Sequence, residues 1–432
     1  MKASRCFPPA LMCFGLVLGA SSARGAAGGL DATFGKGGEV VTSFATTAAP
    51  FQSAVPTVAV LQSDGKIVVA LGITNTNIAT TAFGVVRYLS NGALDKTFGH
   101  NGGTRTAFTN FINQPNSVAL QSDGKIVVAG TASSADGTVS EFAIARFNTN
   151  GSLDTTFGTG GRVTTNFVGV MAGGVSNPAN VVLIQPDNKI LVAGGASECG
   201  KCVHNTALAR YNPDGSLDTS FGTAGMVNVA AIGDADALAV DAAGDIFAVT
   251  GTQIVEFSPS GVLDSSVTPA PIVVSAHGFF GPQAFQADGR YLVPEAVADA
   301  NRHDIDTQVV RFMQTGLVDP TFNSPVFDFT GEGGNAEDVG ACTALASSGQ
   351  VVVGGYHYAG GSNLFGLARL NPNGSLDSTF GTGGVLTTSF PGQTSAQVTA
   401  VLIQADGKII AVGQTLTSSG IANLALARYL GQ

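Results

Sequence analysis

Tryptophan is absent from this chain of 432 residues, charged residues make up only 12 %, and cysteine occurs five times. So few cysteines exclude a disulfide-dense scaffold. No stretch carries the 3.6-residue apolar period of an amphipathic helix, so the chain does not read as helical. Basic residues are the scarcer sign, with 20 Lys and Arg against 30 Asp and Glu. A formal charge of −10 gives no general field for a phosphate backbone or an anionic lipid surface, so nucleic acid is set aside as a partner.

Long apolar runs are also missing, except at the start. "MKASRCFPPALMCFGLVLGASSARGAAGG" joins a basic opening (Lys2, Arg5) to an apolar core from Ala10 to Ala20 and then to small residues. That pattern predicts a signal peptide over residues 1–25, cleaved near Gly25–Ala26; a retained anchor is the alternative. Leu11-Met12 lacks the small residue that a lipidated Cys13 would need beside it. Cleavage removes Lys2, Arg5 and Arg24 with no acidic residue and moves the formal charge to −13. Residues 26–432 are then expected as a single exported domain, secreted or periplasmic, monomeric and without a membrane span.

What the chain has is glycine, 58 of it, and repetition. Three phrases alternate seven times, in a unit of about 58 residues. One is Leu-Asp-x-x-Phe-Gly, with its acid at Asp31, Asp95, Asp154, Asp218, Asp264, Asp319 and Asp377. Another is a turn such as "QSDGKIVVA" at Gln62 and Gln121. The third is an apolar run such as "FAIARF" or "LALARY", closing on Arg and a bulky residue. Asp-Gly and Asn-Gly accept positive φ and suit hairpin turns, so each unit predicts four antiparallel strands, A to D. Strands A and B are apolar on both faces, which suits sheets covered on both sides.

Seven such sheets predict an all-β, seven-bladed β-propeller with four-stranded blades. The expected mature chain opens on a D-strand, "LDATFGKGGEVVTSF", and ends on a C-strand, "LALARYLGQ". The N-terminal outer strand is therefore expected to join the last blade and close the ring. The Leu-Asp-x-x-Phe-Gly phrase falls in the C–D turn and recurs in every unit. A catalytic group is used once, so this set reads as a structural joint. Arg146 and Asp154 come close to opposition across the turn at Asn150-Gly151. Asp-to-backbone bonding is the other use, favoured by the fourth unit, where Glu256 replaces the Arg and Asp264 stays.

"GSLDTTFGTGG", "QSDGKIVVAG" and "FAIARFNTNGSLD" resemble the delta-60 repeat, a bacterial propeller repeat. The resemblance spans most of residues 26–432 and implies secreted or surface-associated proteins. It carries no catalytic residue to transfer.

Turns A–B and C–D share one face of such a ring and are uniform. Loops B–C and D–A share the other and are irregular, so a site is expected there. Four histidines fall in this set: His204, His277, His303 and His357. His277, His303, Asp304, Tyr356, His357 and Tyr358 are the candidate binding residues, the last five in adjacent units. Cys199 and Cys202 in "ECGKCVH" are expected as a local disulfide, with free thiols or half of a metal site as alternatives. Cys342 reads as a buried apolar filler. Asn212, Asp214, Ser216 and Asp218 imitate a calcium loop, but turn chemistry explains them. No metal and no cofactor are expected.

Absent tryptophan excludes sialidase-type aspartate boxes and the Trp-laden blades of quinoprotein dehydrogenases. No Ser stands at a strand-to-helix elbow, and the glycines sit in turns rather than in a phosphate cradle. The expected function is a non-enzymatic binding or interaction scaffold for a protein, peptide or glycan, reached through the irregular face. The alternative is a polysaccharide hydrolase or lyase, and a structural surface element is a third class. Phe279 and Phe280 are the candidates for the exposed apolar patch that the third class needs, but burial between blades is the preferred reading of them.

Overall fold

The structure is a computed structural model; it describes residues 26–44, 53–75, 78–108, 111–167, 175–198, 204–230, 232–250, 253–264, 284–286, 288–299, 304–330 and 336–431. No helix occurs among the described residues, and the regular structure is all β. After β1 (Glu39–Thr42), the strands β2 (Ser53–Leu61), β3 (Ile67–Asn75), β4 (Ile78–Tyr88) and β5 (Gly103–Thr106) make a four-stranded antiparallel sheet in chain order. The strands β6 (Phe111–Leu120), β7 (Ile126–Ser134), β8 (Ser140–Phe147) and β9 (Arg162–Thr165) repeat it. In the third sheet the first strand is split into β10 (Val175–Ser176) and β11 (Ala179–Ile184), followed by β12 (Ile190–Glu198), β13 (Asn205–Tyr211) and β14 (Met226–Val229). Three strands, β15 (Ala235–Val240), β16 (Ile246–Thr250) and β17 (Ile254–Phe257), make the fourth.

Next come β18 (Ala284–Phe285), β19 (Tyr291–Asp299) and β20 (Asp304–Phe312), then β21 (Glu337–Leu345), β22 (Val351–Ala359), β23 (Ser362–Leu370) and β24 (Val385–Thr388). These two groups are tied by a single parallel bridge, Ile305 to Glu337. The last group is β25 (Ser395–Ile403), β26 (Ile409–Leu416) and β27 (Ala422–Tyr429). Its fourth strand is β1, which pairs antiparallel with β27 from Glu39 opposite Ala427 to Thr42 opposite Leu424.

Each hydrophobic cluster is shared by two sheets. Val68, Ala70 and Val85 of the first sheet pack with Ile126, Val128 and Phe147 of the second. The same sharing continues from sheet to sheet along the chain. One more cluster joins the first sheet to the last, through Ile67, Val69 and Leu71 against Ile410, Val412 and Leu426. This explains the apolar runs with no polar alternation, because both faces of a sheet meet a neighbour. The first strands form a row of their own. β2 lies between β25 and β6, β11 between β6 and β15, and β21 between β18 and β25.

The A–B turns adopt positive φ, most often with Gly; Asn188 takes that place in the third sheet at φ +63°. Asn is the residue that tolerates this conformation best after Gly. One irregular loop is shorter than its sequence implies. "YHYAGGSN" is almost all strand, and β22 and β23 pair down to Ala359 opposite Ser362.

Candidate functional site

The face with the uniform turns is a set of internal joints. Arg87, Arg146, Arg210, Arg311 and Arg369 hold Asp95, Asp154, Asp218, Asp319 and Asp377 at 2.7–2.9 Å, all within one C–D turn. Arg428 faces Asp31 of the N-terminal strand through Nη2, as an ion pair at 2.9 Å without the Nε hydrogen bond of the other joints. Each guanidinium also lies over the Phe of the phrase, as Arg146 does over Phe157 at 4.5 Å. Its remaining Nη1 donates to a main-chain carbonyl of the next sheet's turn: Arg87 to Thr149 at 2.6 Å, Arg146 to Pro213, Arg428 to Ser90 at 2.6 Å. The joint therefore binds sheet to sheet as well as strand to strand.

The second carboxylate oxygen is used as well. Asp154 Oδ1 accepts from the Thr156 amide at 3.1 Å and from its hydroxyl at 2.6 Å. The Arg and backbone uses thus occur together on one side chain. Burial works to raise these acids, but hydrogen bonds from Thr33 and the charges of Lys408 and Arg428 outweigh it at Asp31 and hold it at about 2. Asp319 is held at about 2 by Thr321 and Arg311 against the same burial. Glu256, in the Arg position of the fourth unit, is raised by burial and by Asp245, Asp264 and Asp241.

His277, His303, Cys199, Cys202, Phe279, Phe280 and the predicted leader over residues 1–25 lie outside the described residues. Asp304 begins β20, one residue before the bridge to Glu337, and Glu337 pairs with Tyr358. The fold thus brings the 304 and 356–358 segments to the two sides of one strand. Tyr358 is exposed and Tyr356 half-buried, whereas His357 is buried inside β22. Its Nδ1 lies 2.9 Å from Asp338 Oδ1. That oxygen also accepts the Phe329 amide at 2.9 Å. Asp338 is 1 % exposed, its Oδ2 has no hydrogen-bond partner, and burial raises its carboxyl. In the second and third sheets the same place is Asn113 and Asn177, whose Nδ2 donates to the main chain of the preceding sheet at 2.7 and 3.0 Å. Asp338 thus keeps part of a repeated inter-sheet clip, accepting the Phe329 amide as Asn113 accepts the Phe108 amide, and adds His357 from its own sheet. His204, more exposed, pairs with Asp234 at 3.2 Å. Cys342 is fully buried in β21 and its thiol is pushed up to about 12.

A further repeated feature has no motif of its own in the sequence. A register shift interrupts β2, β6, β11, β15, β21 and β25 at one equivalent place. The extra residue of this bulge is Thr57, Asn116, Asn180, Asp236, Ala341 or Thr399. Bulges re-aim a side chain out of the ladder. Opposite the bulge stands Gly130, Gly194, Gly355 or Gly413, and an added Cβ would come 1.9–2.0 Å from a carbonyl of the bulged strand. The sequence signal was the Gly that ends "KIVVAG", "KILVAG" and "IIAVG", which reads as strand composition until the facing strand is known.

Two clefts open on the irregular face. One, of about 470 Å³, is lined by Gln114, Asn116, Thr131, Ser133, Ser140 and Asn180 above Ile112 and Pro178. The other, of about 350 Å³, lies between Ser362–Leu364 and Ser389–Ala396. Asp236, at the next bulge, is raised to about 7 by burial and by Asp234, against a hydrogen bond from Asn180.

Repeated four-stranded antiparallel sheets, packed face to face, define a β-propeller built from sequence repeats. Residues 62–98, 121–157, 185–221, 346–380 and 404–431 match the family described as "Domain of unknown function (DUF5122) beta-propeller". A search of curated proteins finds no match. Among solved structures the chain is similar to the β-propeller domain of the Trilobed protease from Pyrococcus furiosus, at 10 % identity and TM-score 0.41, over 88 % of this chain and 95 % of that one. It is also similar to a protein of unknown function from Bacteroides caccae, at 13 % identity and TM-score 0.37, over 79 % and 97 %. A gluconolactonase from Xanthomonas campestris matches at 12 % identity and TM-score 0.37, over 77 % and 95 %.

Proposed function

We propose that this chain is an exported, non-enzymatic binding module: a seven-bladed propeller of the delta-60 type, closed between its first and last blades, that takes its partner through the irregular face. The observation that carries the binding reading is the contrast between the two faces. On the regular face the repeated acids are committed to arginine, threonine and neighbouring turns. On the irregular face the clefts are lined by uncharged side chains, polar ones together with Ile112 and Pro178 in one and Leu364 and Phe390 in the other. The ring reading is supported by the cluster shared between first and last sheets and by the β1–β27 pairing. Export is supported by the leader pattern, and by Ala27, whose carbonyl accepts Gly381 N at 3.0 Å just past the expected cleavage point.

The test is a glycan array and a peptide array probed with the mature chain. Ligands so captured should bind at least tenfold more weakly after Ser133→Trp or Ser395→Trp, one in each cleft. Ser122→Trp, on an A–B turn, should leave them unchanged. Binding indifferent to both cleft substitutions argues against the face, and turnover of a captured glycan moves the chain to the hydrolase or lyase reading.

A further inference from the structure

We infer that the cleft between β6, β7 and β11 is a binding site for a neutral oligosaccharide. This deepens the reading above and rests on it. The repeat breaks at this cleft. Six described first strands carry the bulge, but only the second and third sheets place amides there, Asn116 and Asn180, side by side across one sheet junction. The Arg–Asp joint recurs in six sheets, whereas this pair of amides occurs once among the described residues.

Both amides are oriented by the fold. Asn116 Nδ2 donates to Ala179 O at 2.8 Å, and Asn180 Nδ2 donates to Asp236 Oδ1 at 3.1 Å. Their carbonyl oxygens are left as acceptors. Gln114 and Ser133, both in the lining, make no side-chain hydrogen bond among the described residues, so an amide and a hydroxyl are free to donate and accept. The supports are strands and a bulge rather than loops, so the array is fixed before a ligand arrives.

The chemistry of the lining selects the ligand class. No charged side chain lines this cleft, so a buried ligand charge would lack a counter-ion. A formal charge of −10 further disfavours polyanions. Mixed donors and acceptors suit hydroxyls, each of which does both. Ile112, 36 % exposed, and Pro178 supply an apolar surface for the C–H face of a sugar ring. A cleft of about 470 Å³ lies within the size range of small-ligand sites.

The experiment titrates the mature chain with neutral pentaoses of glucose, xylose and mannose in several linkages, with oligogalacturonate as the charged control and a peptide library beside it. At least one neutral oligosaccharide should bind, with a Kd unchanged in 0.5 M salt. That Kd should rise at least tenfold in Gln114→Ala/Ser133→Ala, and binding should vanish in Ser133→Trp. Ser395→Trp, in the other cleft, should leave it intact, and thermal melting of each variant reports on folding. Absence of binding across the neutral panel, binding that survives Ser133→Trp, or binding confined to oligogalacturonate would overturn the inference. A peptide ligand lost in Ser395→Trp would overturn it too, while leaving the broader binding reading standing. Failure of every probe would take both down.

Discussion

One arginine in each joint does three things. Arg146 neutralises Asp154, covers Phe157 and reaches the Pro213 carbonyl in the next sheet. Asp154 is 4 % exposed, so removing its partner leaves a buried charge beside only Lys125, at 3.7 Å. Arg146→Met should therefore destabilise by about 3 kcal/mol in chemical denaturation. The pH dependence has a fixed sign. Asp31 and Asp319 are depressed to about 2, so their stabilisation is complete above the ordinary carboxylate range and is lost as pH falls from about 4 to about 2. Midpoints of urea unfolding measured across that range check it. The Arg–Asp half of the joint was legible because its partners lie eight residues apart across a visible turn. The inter-sheet half was not, because its acceptor is a main-chain carbonyl 67 residues away and carries no residue signature. His357 was misplaced for a related reason: Tyr-His-Tyr before Gly-Gly looks like a loop, but Asp338 draws the ring into the sheet.

At the scale of the strand, the bulge governs what the first strands present. Gly130 faces the Gln114 carbonyl so closely that an added Cβ would stand 2.0 Å from it. Gly130→Ala should destabilise by about 1–3 kcal/mol and disturb the neighbouring cleft, read as a lower melting temperature. The first sheet carries Leu71 in this position and the fourth Thr250, and nothing in the structure explains those exceptions. Asp236 shows the opposite electrostatic case to the joints. Burial and Asp234 raise it to about 7, so it is the unfolded carboxyl that ionises first, and stability falls as pH rises from about 4 to about 7. Asp236→Asn keeps an acceptor for Asn180 and removes the charge. It should melt about one degree above the parent at pH 8, a gain of about 1 kcal/mol after solvent screening, and match the parent near pH 4. Strand order and turns were readable from Asp-Gly and Asn-Gly spacing. Bulges were not, since one extra residue leaves the apolar pattern of "SVALQSDG" unchanged.

At the scale of the molecule, the repeated phrase made the four-stranded sheets legible. Between the first and last sheets the contacts are of the same kinds as elsewhere. Arg428 lies over Phe34 at 4.7 Å and donates to Ser90 in the first sheet's turn, and Tyr88 donates to Thr42 of β1 at 2.6 Å. β1 therefore supplies both the outer strand of the last sheet and a bonding partner for the first. Deleting residues 26–44 would expose the β27 edge and leave Arg428 without Asp31. An unpaired edge is a template for self-association. The shortened chain should thus melt well below the parent and sediment as dimers or larger species, and a peptide spanning residues 26–44 should restore both properties in trans. An unchanged melting temperature would mean that the first and last sheets hold together through the Ile67–Ile410 cluster alone, with β1 adding little to their packing.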